Sequence, residues 1–230
     1  VIAPDLPGHG ASESGVTPLK IERMLQWLAA LIDETCSSPP AVVGQLLGGA
    51  LAARFASAHG DRIEQLILID TFGLTPFQPP AEFGRALTDY LGEPDETTHE
   101  RLWRQCTFDL ESTRLRMGER WEPFAAYNVA LARTPGVRAA ATALMEQLGA
   151  AIPESQLARI PVPTTLVWGR HDRPYPLAIA EAAAARFGWP LHVIENSADD
   201  PPIEQPEALV RVLRDVLDKP GANSRGETHA

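Results

Sequence analysis

Apolar residues along this chain follow two rhythms. Short continuous apolar runs read as strands covered on both faces, and longer stretches with apolar positions three and four apart read as helices. Val1 to Ala3 are expected to form a short strand, with the Gly/Pro loop "DLPGHGAS" (Asp5 to Ser12) leaving it. From Thr17 to about Cys36, Leu19, Ile21, Met24, Leu25, Leu28, Leu31 and Ile32 recur at helical spacing, and "SSPP" closes that helix. Ala41 to Val43 form the next strand, Ala50 to Ala58 a helix, and "IEQLILID" (Ile63 to Asp70) a further strand. The strand signal then stops. From Thr71 to about Ile160 helices are expected near Ala81–Leu91, Thr98–Cys106, Trp121–Ala132 and Val137–Leu148. After "IPVP" come the strand "TTLVWG" (Thr164 to Gly169), a helix from Leu177 to Phe187, the strand "LHVIE", and a helix from about Pro206 to Leu217. The closing "DKPGANSRGETHA" is polar and Gly-rich and is expected to be a mobile tail.

Strand–helix alternation predicts an α/β fold with a mostly parallel sheet and right-handed crossovers. The helical block between two such runs reads as an inserted cap. The expected division is 1–71 for the first part of the core, 72–160 for the cap, 161–218 for the second part of the core and 219–230 for the tail. In open parallel sheets a ligand sits outside the carboxyl ends of the strands, so the loops after them hold any site. The chain opens directly in an apolar strand with no initiator Met, and preceding strands are expected to be missing.

The formal charge of −10 over 230 residues, without a Lys/Arg run, argues against nucleic acid or an anionic membrane as the main partner. No apolar run approaches a membrane span and no signal peptide is visible. Cys36 and Cys106 fit neither a disulfide framework nor a metal spacing and suit a cytoplasmic location. No pair among the histidines has metal-ligand spacing, and no cofactor is expected.

"VVGQLLGGALAARFA" (Val42 to Ala56) has the form of the strand–turn–helix that carries a catalytic serine, with Gly44, Gly48 and Gly49 allowing close backbone approach. In the pattern G-x-S-x-G the nucleophile stands at the centre of the turn, and here that residue is Leu46. Three other stretches fall in matching order. "DLPGHGAS" resembles the D-x-x-G-x-G-x-S loop of the α/β-hydrolases, "LVWGRHD" their acid-bearing strand and loop, and "ENSADDPPIEQPEAL" their histidine-bearing segment. Nearly the whole chain except the tail resembles an α/β-hydrolase with a helical cap, of the esterase, lactonase or epoxide hydrolase kind.

The resemblance implies a Ser–Asp–His triad, in which the imidazole takes the serine proton and the carboxylate orients and stabilises the imidazole. Its acid matches Asp172. Its nucleophile matches Leu46, and aligning Pro201, Glu204 and Pro206 places Asp199 on the histidine. Leu47 would supply one oxyanion-hole N–H; the second donor would come from a loop preceding Val1.

Other residues offer little replacement. Gln45 and Leu47 are not nucleophiles, Ser12 matches a structural serine, Ser14 lies after a different strand, and Ser197 has no evident base. His171, beside Asp172, and His9 read as loop residues; His59, His99 and His192 as helix-end, cap and strand residues. Asp70, at the end of a strand where some family members place an alternative acid, is expected to be structural. Among Trp103, Phe108, Trp121, Phe124 and Tyr127, helical spacing makes most ordinary core.

The leading reading is a catalytically silent relative or a binder of small apolar molecules. A functional hydrolase of small esters, represented by a fragmentary or altered sequence, is one alternative. The other is non-hydrolytic acid–base chemistry by Asp172 and Asp199, against which stands the expectation that Asp199 turns out to solvent beside Asp200.

Overall fold

The structure, a computed structural model, describes residues 1–10, 12 and 20–218. Ser14, residues 17–19 of the first expected helix and the tail 219–230 lie outside the described residues. The first helix, α1, spans Ile21–Thr35. The core alternation follows: β1 (Ala41–Gln45), α2 (Leu46–His59) and β2 (Gln65–Ile69). A helical insertion comes next, with α3 (Ala81–Gly92), α4 (Glu96–Cys106), α5 (Leu110–Met117), α6 (Trp121–Arg133), α7 (Pro135–Leu148) and the short α8 (Glu154–Leu157). The chain then returns to the core as β3 (Thr164–Gly169), α9 (Leu177–Phe187), β4 (Leu191–Ile194), the short α10 (Pro201–Glu204) and α11 (Pro206–Leu217).

The four strands are parallel in the order β1-β2-β3-β4, with Val43 opposite Ile67 and Leu68 opposite Leu166. Period-two alternation divides the apolar residues between two faces. Leu66, Leu68, Leu166 and Trp168 join the cluster built with α2, while Ile67, Ile69, Val167 and Ile194 pack against Leu209 and Val216 of α11. Both faces are covered, so every residue of β3 is buried.

Val1 to Ala3 do not form the expected strand. They are irregular and exposed, and β1 is paired with β2 alone among the described residues. An apolar run has strand composition, but a strand also needs a partner ladder, which composition does not supply.

Helices α3 to α6 have interiors of their own, whereas Ala140, Leu144 and Leu148 of α7 and Leu157 of α8 join the main cluster. Phe83, Ala86, Tyr90, Leu102 and Val129 form one, and Leu110, Trp121 and Ala125 another. A capping box starts α4: Thr98 N–H donates to the Asp95 carboxylate at 2.7 Å and the Thr98 hydroxyl accepts from Asp95 N–H. Asp109 caps α5, a helix the periodicity did not predict. Among the described residues no helix is long and apolar enough to cross a membrane.

Candidate functional site

The loops at the carboxyl ends of the strands converge as the topology requires. Leu46 stands at the β1–α2 turn with φ 47°, Asp70 follows β2 with φ 40°, and Asn196 follows β4 with φ 55°. These are the described non-glycine residues at positive φ, and all three lie along this one edge. Each such conformation costs roughly 1–2 kcal/mol, and strain of this kind collects where loops are held by their surroundings.

The glycines explain how the turn closes. A Cβ on Gly44 would lie 2.6 Å from the Gly48 carbonyl oxygen, and one on Gly49 would lie 2.3 Å from Thr71 Oγ1. Gly48 itself meets nothing within 4 Å, so its role is not close approach. The Leu46 carbonyl accepts from Phe72 N–H at 3.2 Å, fixing the turn to the end of β2. Leu46 and Leu47 are half-buried against the main core cluster.

Asp172 lies where the sequence placed it, in the loop after β3, and only 5% exposed. Its Oδ1 accepts from Tyr175 N–H at 2.7 Å, while its Oδ2 has no donor. Asp70 is fully buried; its Oδ1 accepts from Gly169 N–H at 2.8 Å and its Oδ2 is equally unpartnered. The two carboxyls are neighbours, and a proton held between them would give each Oδ2 a partner. Burial is the main force raising both. It holds Asp70 well above the usual carboxylate range, helped by the charge of Asp172, and pushes Asp172 up to about 7.

Asp199 does not turn out to solvent. It is 7% exposed, and burial first and the charge of Asp172 second hold it well above the usual range. Asp200 also faces inward, and burial pushes it up to about 6. Two neighbours draw this loop in. Gln45 Nε2 donates to the Asp199 carbonyl and to Asp200 Oδ1, each at 3.1 Å. Glu204, 1% exposed, accepts from Ala198 N–H at 2.6 Å and from the Ser197 hydroxyl at 3.2 Å. A Cβ on Gly169 would lie 1.8 Å from the Ala198 carbonyl oxygen, so the strand carrying Asp172 meets this loop only because a glycine ends it.

The arrangement is therefore a buried group of acids, Asp70, Asp172 and Asp199, beside an aliphatic side chain. Asp70 and Gln45 are members that the sequence reading set aside. The signal for Asp70 was its place at a carboxyl edge; Gln45 had none beyond adjoining Leu46. Cys106, at the end of α4, reaches the same group: its carbonyl accepts from Asp199 N–H at 3.2 Å, and burial together with the charge of Asp199 holds its thiol well above the usual thiol range. A thiol so protonated is a poor nucleophile.

The remaining candidates are accounted for elsewhere. The Ser197 hydroxyl is committed to Glu204, and the Ser12 hydroxyl donates to the Asp5 carbonyl at 2.8 Å. His171 stacks on Phe108 at 4.2 Å. His99 is buried among Tyr90, Trp103, Trp121 and Phe124, and burial lowers it to about 4, so the ring is neutral at neutral pH. Trp103, Trp121 and Phe124 are packing residues as expected, whereas Phe108 and Tyr127 are exposed. Among the described residues no group of three or more His, Cys, Asp or Glu could hold a metal ion.

An open parallel sheet with a helical insertion, a glycine-walled turn after β1 and acids after β2, β3 and β4 defines a class. The chain belongs to the alpha/beta hydrolase family, whose model matches residues 1–212. Over 224 residues it is 29% identical to the pimeloyl-[acyl-carrier protein] methyl ester esterase of Aromatoleum aromaticum, covering 94% of this chain and 87% of that protein. A segment of 70 residues is 41% identical to lipase LipV of Mycobacterium tuberculosis, covering 30% of this chain. The chain spans less than half of two curated relatives it matches, 26% of that lipase and 47% of another. The solved 2-hydroxy-6-oxo-6-phenylhexa-2,4-dienoate hydrolase from Rhodococcus sp. strain RHA1 superposes with a TM-score of 0.78 at 21% identity, over 94% of this chain and 79% of that one. That likeness concerns the fold.

Proposed function

We propose that this member of the family has lost serine-type hydrolysis and retains the scaffold as a silent relative or a binder of small apolar molecules. One observation carries the reading: the centre of the turn, held at φ 47°, is Leu46. A leucine has no lone pair to attack a carbonyl, and the position that would activate it is the buried acid Asp199. A carboxyl kept protonated by burial is no base for a distant hydroxyl, and neither Ser12 nor Ser197 is free to replace the missing one. The relatives named for ester hydrolysis support descent from that chemistry, not its presence here. A fluorophosphonate probe and a series of activated esters test this. No labelled serine and no enzymatic turnover are expected; labelling at one serine, with turnover lost on its mutation, would overturn the reading.

A second reading is favoured by the acid group. Buried carboxyls raised by burial and by neighbouring carboxylate charge, as Asp172 and Asp199 are, can supply an acid and a base at neighbouring positions, the pattern from which non-hydrolytic proton transfer is built. In it Asp199 and Asp172 would exchange a proton with a bound small molecule beside Leu46. Exchange of acidic C–H protons of small ketones into deuterated water, abolished by Asp199→Asn but not by Leu46→Ala, would favour this reading over the silent one.

A further inference from the structure

We propose that the acid group at the carboxyl edge recognises a cation, the protonated amine of a small amphipathic molecule whose alkyl part lies at Leu46. This deepens the reading of that edge as a binder of small apolar molecules, on which it rests, by adding the charge of the head group. Asp70, Asp172, Asp199 and Glu204 are each 7% exposed or less, and Asp200 faces inward beside them. They follow β2, β3 and β4 or belong to α10, so the common edge of the sheet brings them together.

No cation answers these acids. Among the described residues none of them forms an ion pair. The arginines that flank Asp172 are committed elsewhere. Arg170 grips Glu195 through two nitrogens, and Arg173 donates from Nη1 to the carbonyls of Arg104 at 2.9 Å and Thr107 at 3.0 Å. His171 is stacked on Phe108, and the Cys106 thiol stays neutral. Donors are also missing where oxygens are buried: Asp172 Oδ2 and Asp70 Oδ2 have no hydrogen-bond partner. One proton between these two serves that pair alone. It leaves Asp199, on which Asp172 acts more strongly than Asp200 or Glu204 does, without a positive neighbour.

Buried like charges repel, so in the free protein these carboxyls retain protons. An alkylammonium supplies one positive charge and three N–H donors, whose bonds to ionised carboxylates are charge-assisted. Leu46 and Leu47, half-buried at the same edge, offer apolar surface to the tail. The formal charge of −10 draws cations and repels carboxylates. Because the cation competes with protons, its affinity rises with pH. Asp172, pushed up to about 7, ionises across neutral pH, whereas an alkylamine keeps its proton to about pH 10.

Calorimetric titration with hexylammonium chloride, 1-hexanol and sodium hexanoate separates charge from apolar contact. At pH 8 hexylammonium should bind at least tenfold more tightly than 1-hexanol, and hexanoate more weakly than either. At pH 5.5 hexylammonium should bind at least fivefold more weakly than at pH 8, with 1-hexanol unchanged. Asp199→Asn should reduce the hexylammonium advantage at least fivefold and spare 1-hexanol. Asp172→Asn, a stabilising change at pH 8, should do the same. Asp215→Asn, exposed on α11, controls for attraction by the acidic surface at large and should change nothing. Binding of 1-hexanol as tight as that of hexylammonium would overturn the cation site and leave the functional reading standing, whereas failure of all three ligands to bind would sink both. Equal loss of the advantage in Asp215→Asn and Asp199→Asn, or ammonium chloride binding as tightly as hexylammonium, would also overturn it.

Discussion

Replacing Asp172 by asparagine should stabilise this protein at pH 8 and do little at pH 4. The carboxyl is 5% exposed, faces a second buried carboxyl, and is pushed from 3.8 up to about 7. Its effect on stability has a definite sign. Below pH 4 it is protonated in the folded and the unfolded chain alike and contributes nothing. Between pH 4 and 7 the unfolded chain releases the proton while the folded chain retains it, so stability falls as pH rises. Above pH 7 the loss is complete. Raising the carboxyl from 3.8 to about 7 corresponds at most to about 4 kcal/mol. Relaxation and sharing of the proton with Asp70 reduce this, and about 2 kcal/mol is the expected gain for the variant. Asparagine keeps an oxygen for Tyr175 N–H and offers its amide to the unpartnered Oδ2 of Asp70. Urea unfolding of both proteins, followed by the fluorescence of buried Trp168 among the other tryptophans, gives the difference from pH 4 to 8. The difference is the quantity to read, because His99 imposes an opposite slope on both proteins and cancels in it. A difference that stays flat across this range, or a variant less stable at pH 8, would refute the shared-proton account.

His99 yields the mirror-image result. Its folded-state value is lowered to about 4, so its contribution is intact above pH 6.5 and is lost as pH falls toward 4. His99→Gln should remove up to about 3 kcal/mol of that acid-side loss, read from the same urea titrations. Gly44→Ala drives a Cβ against backbone and should destabilise by about 2 kcal/mol or more, whereas Gly48→Ala, in open space within α2, should be neutral or gain up to about 1 kcal/mol; thermal melts separate the two. In this protein, Leu46→Ser with Asp199→His should hydrolyse a small activated ester at least tenfold faster than either single variant. Addition of Asp172→Asn should remove that gain.

Much of the fold was legible because its signals are local. The apolar runs of β2 and β3 and the periodicity of α3, α6, α9 and α11 fixed element type, with boundaries shifted by one or two residues in most cases. The helix α5 escaped because "LESTRLRM" places its apolar residues on no single face; the Asp109 cap, bonded to Ser112, was the available signal. The turn around Leu46 was readable from its glycines. The burial of Asp199 and Asp200 was not, because "ADDPP" is polar in itself and is drawn inward by Gln45, from the far side of the sequence, and by Glu204. Asp70 shows the same limit. Nothing near it in the chain indicates that its neighbour is Asp172, a run of helices and one strand later.

The carbonyl of Leu46 is gripped by Phe72 N–H, and the walls of its turn are set by Gly44, Gly49 and Thr71. Neighbours, not the leucine, hold this backbone in its shape, so the side chain there is a replaceable attachment at a fixed address. A cysteine installed at position 46 would present its thiol at the mouth of the same edge, ready for a spin label, a fluorophore or a metal chelate. The turn after β1 becomes a mounting point whose cargo can be chosen.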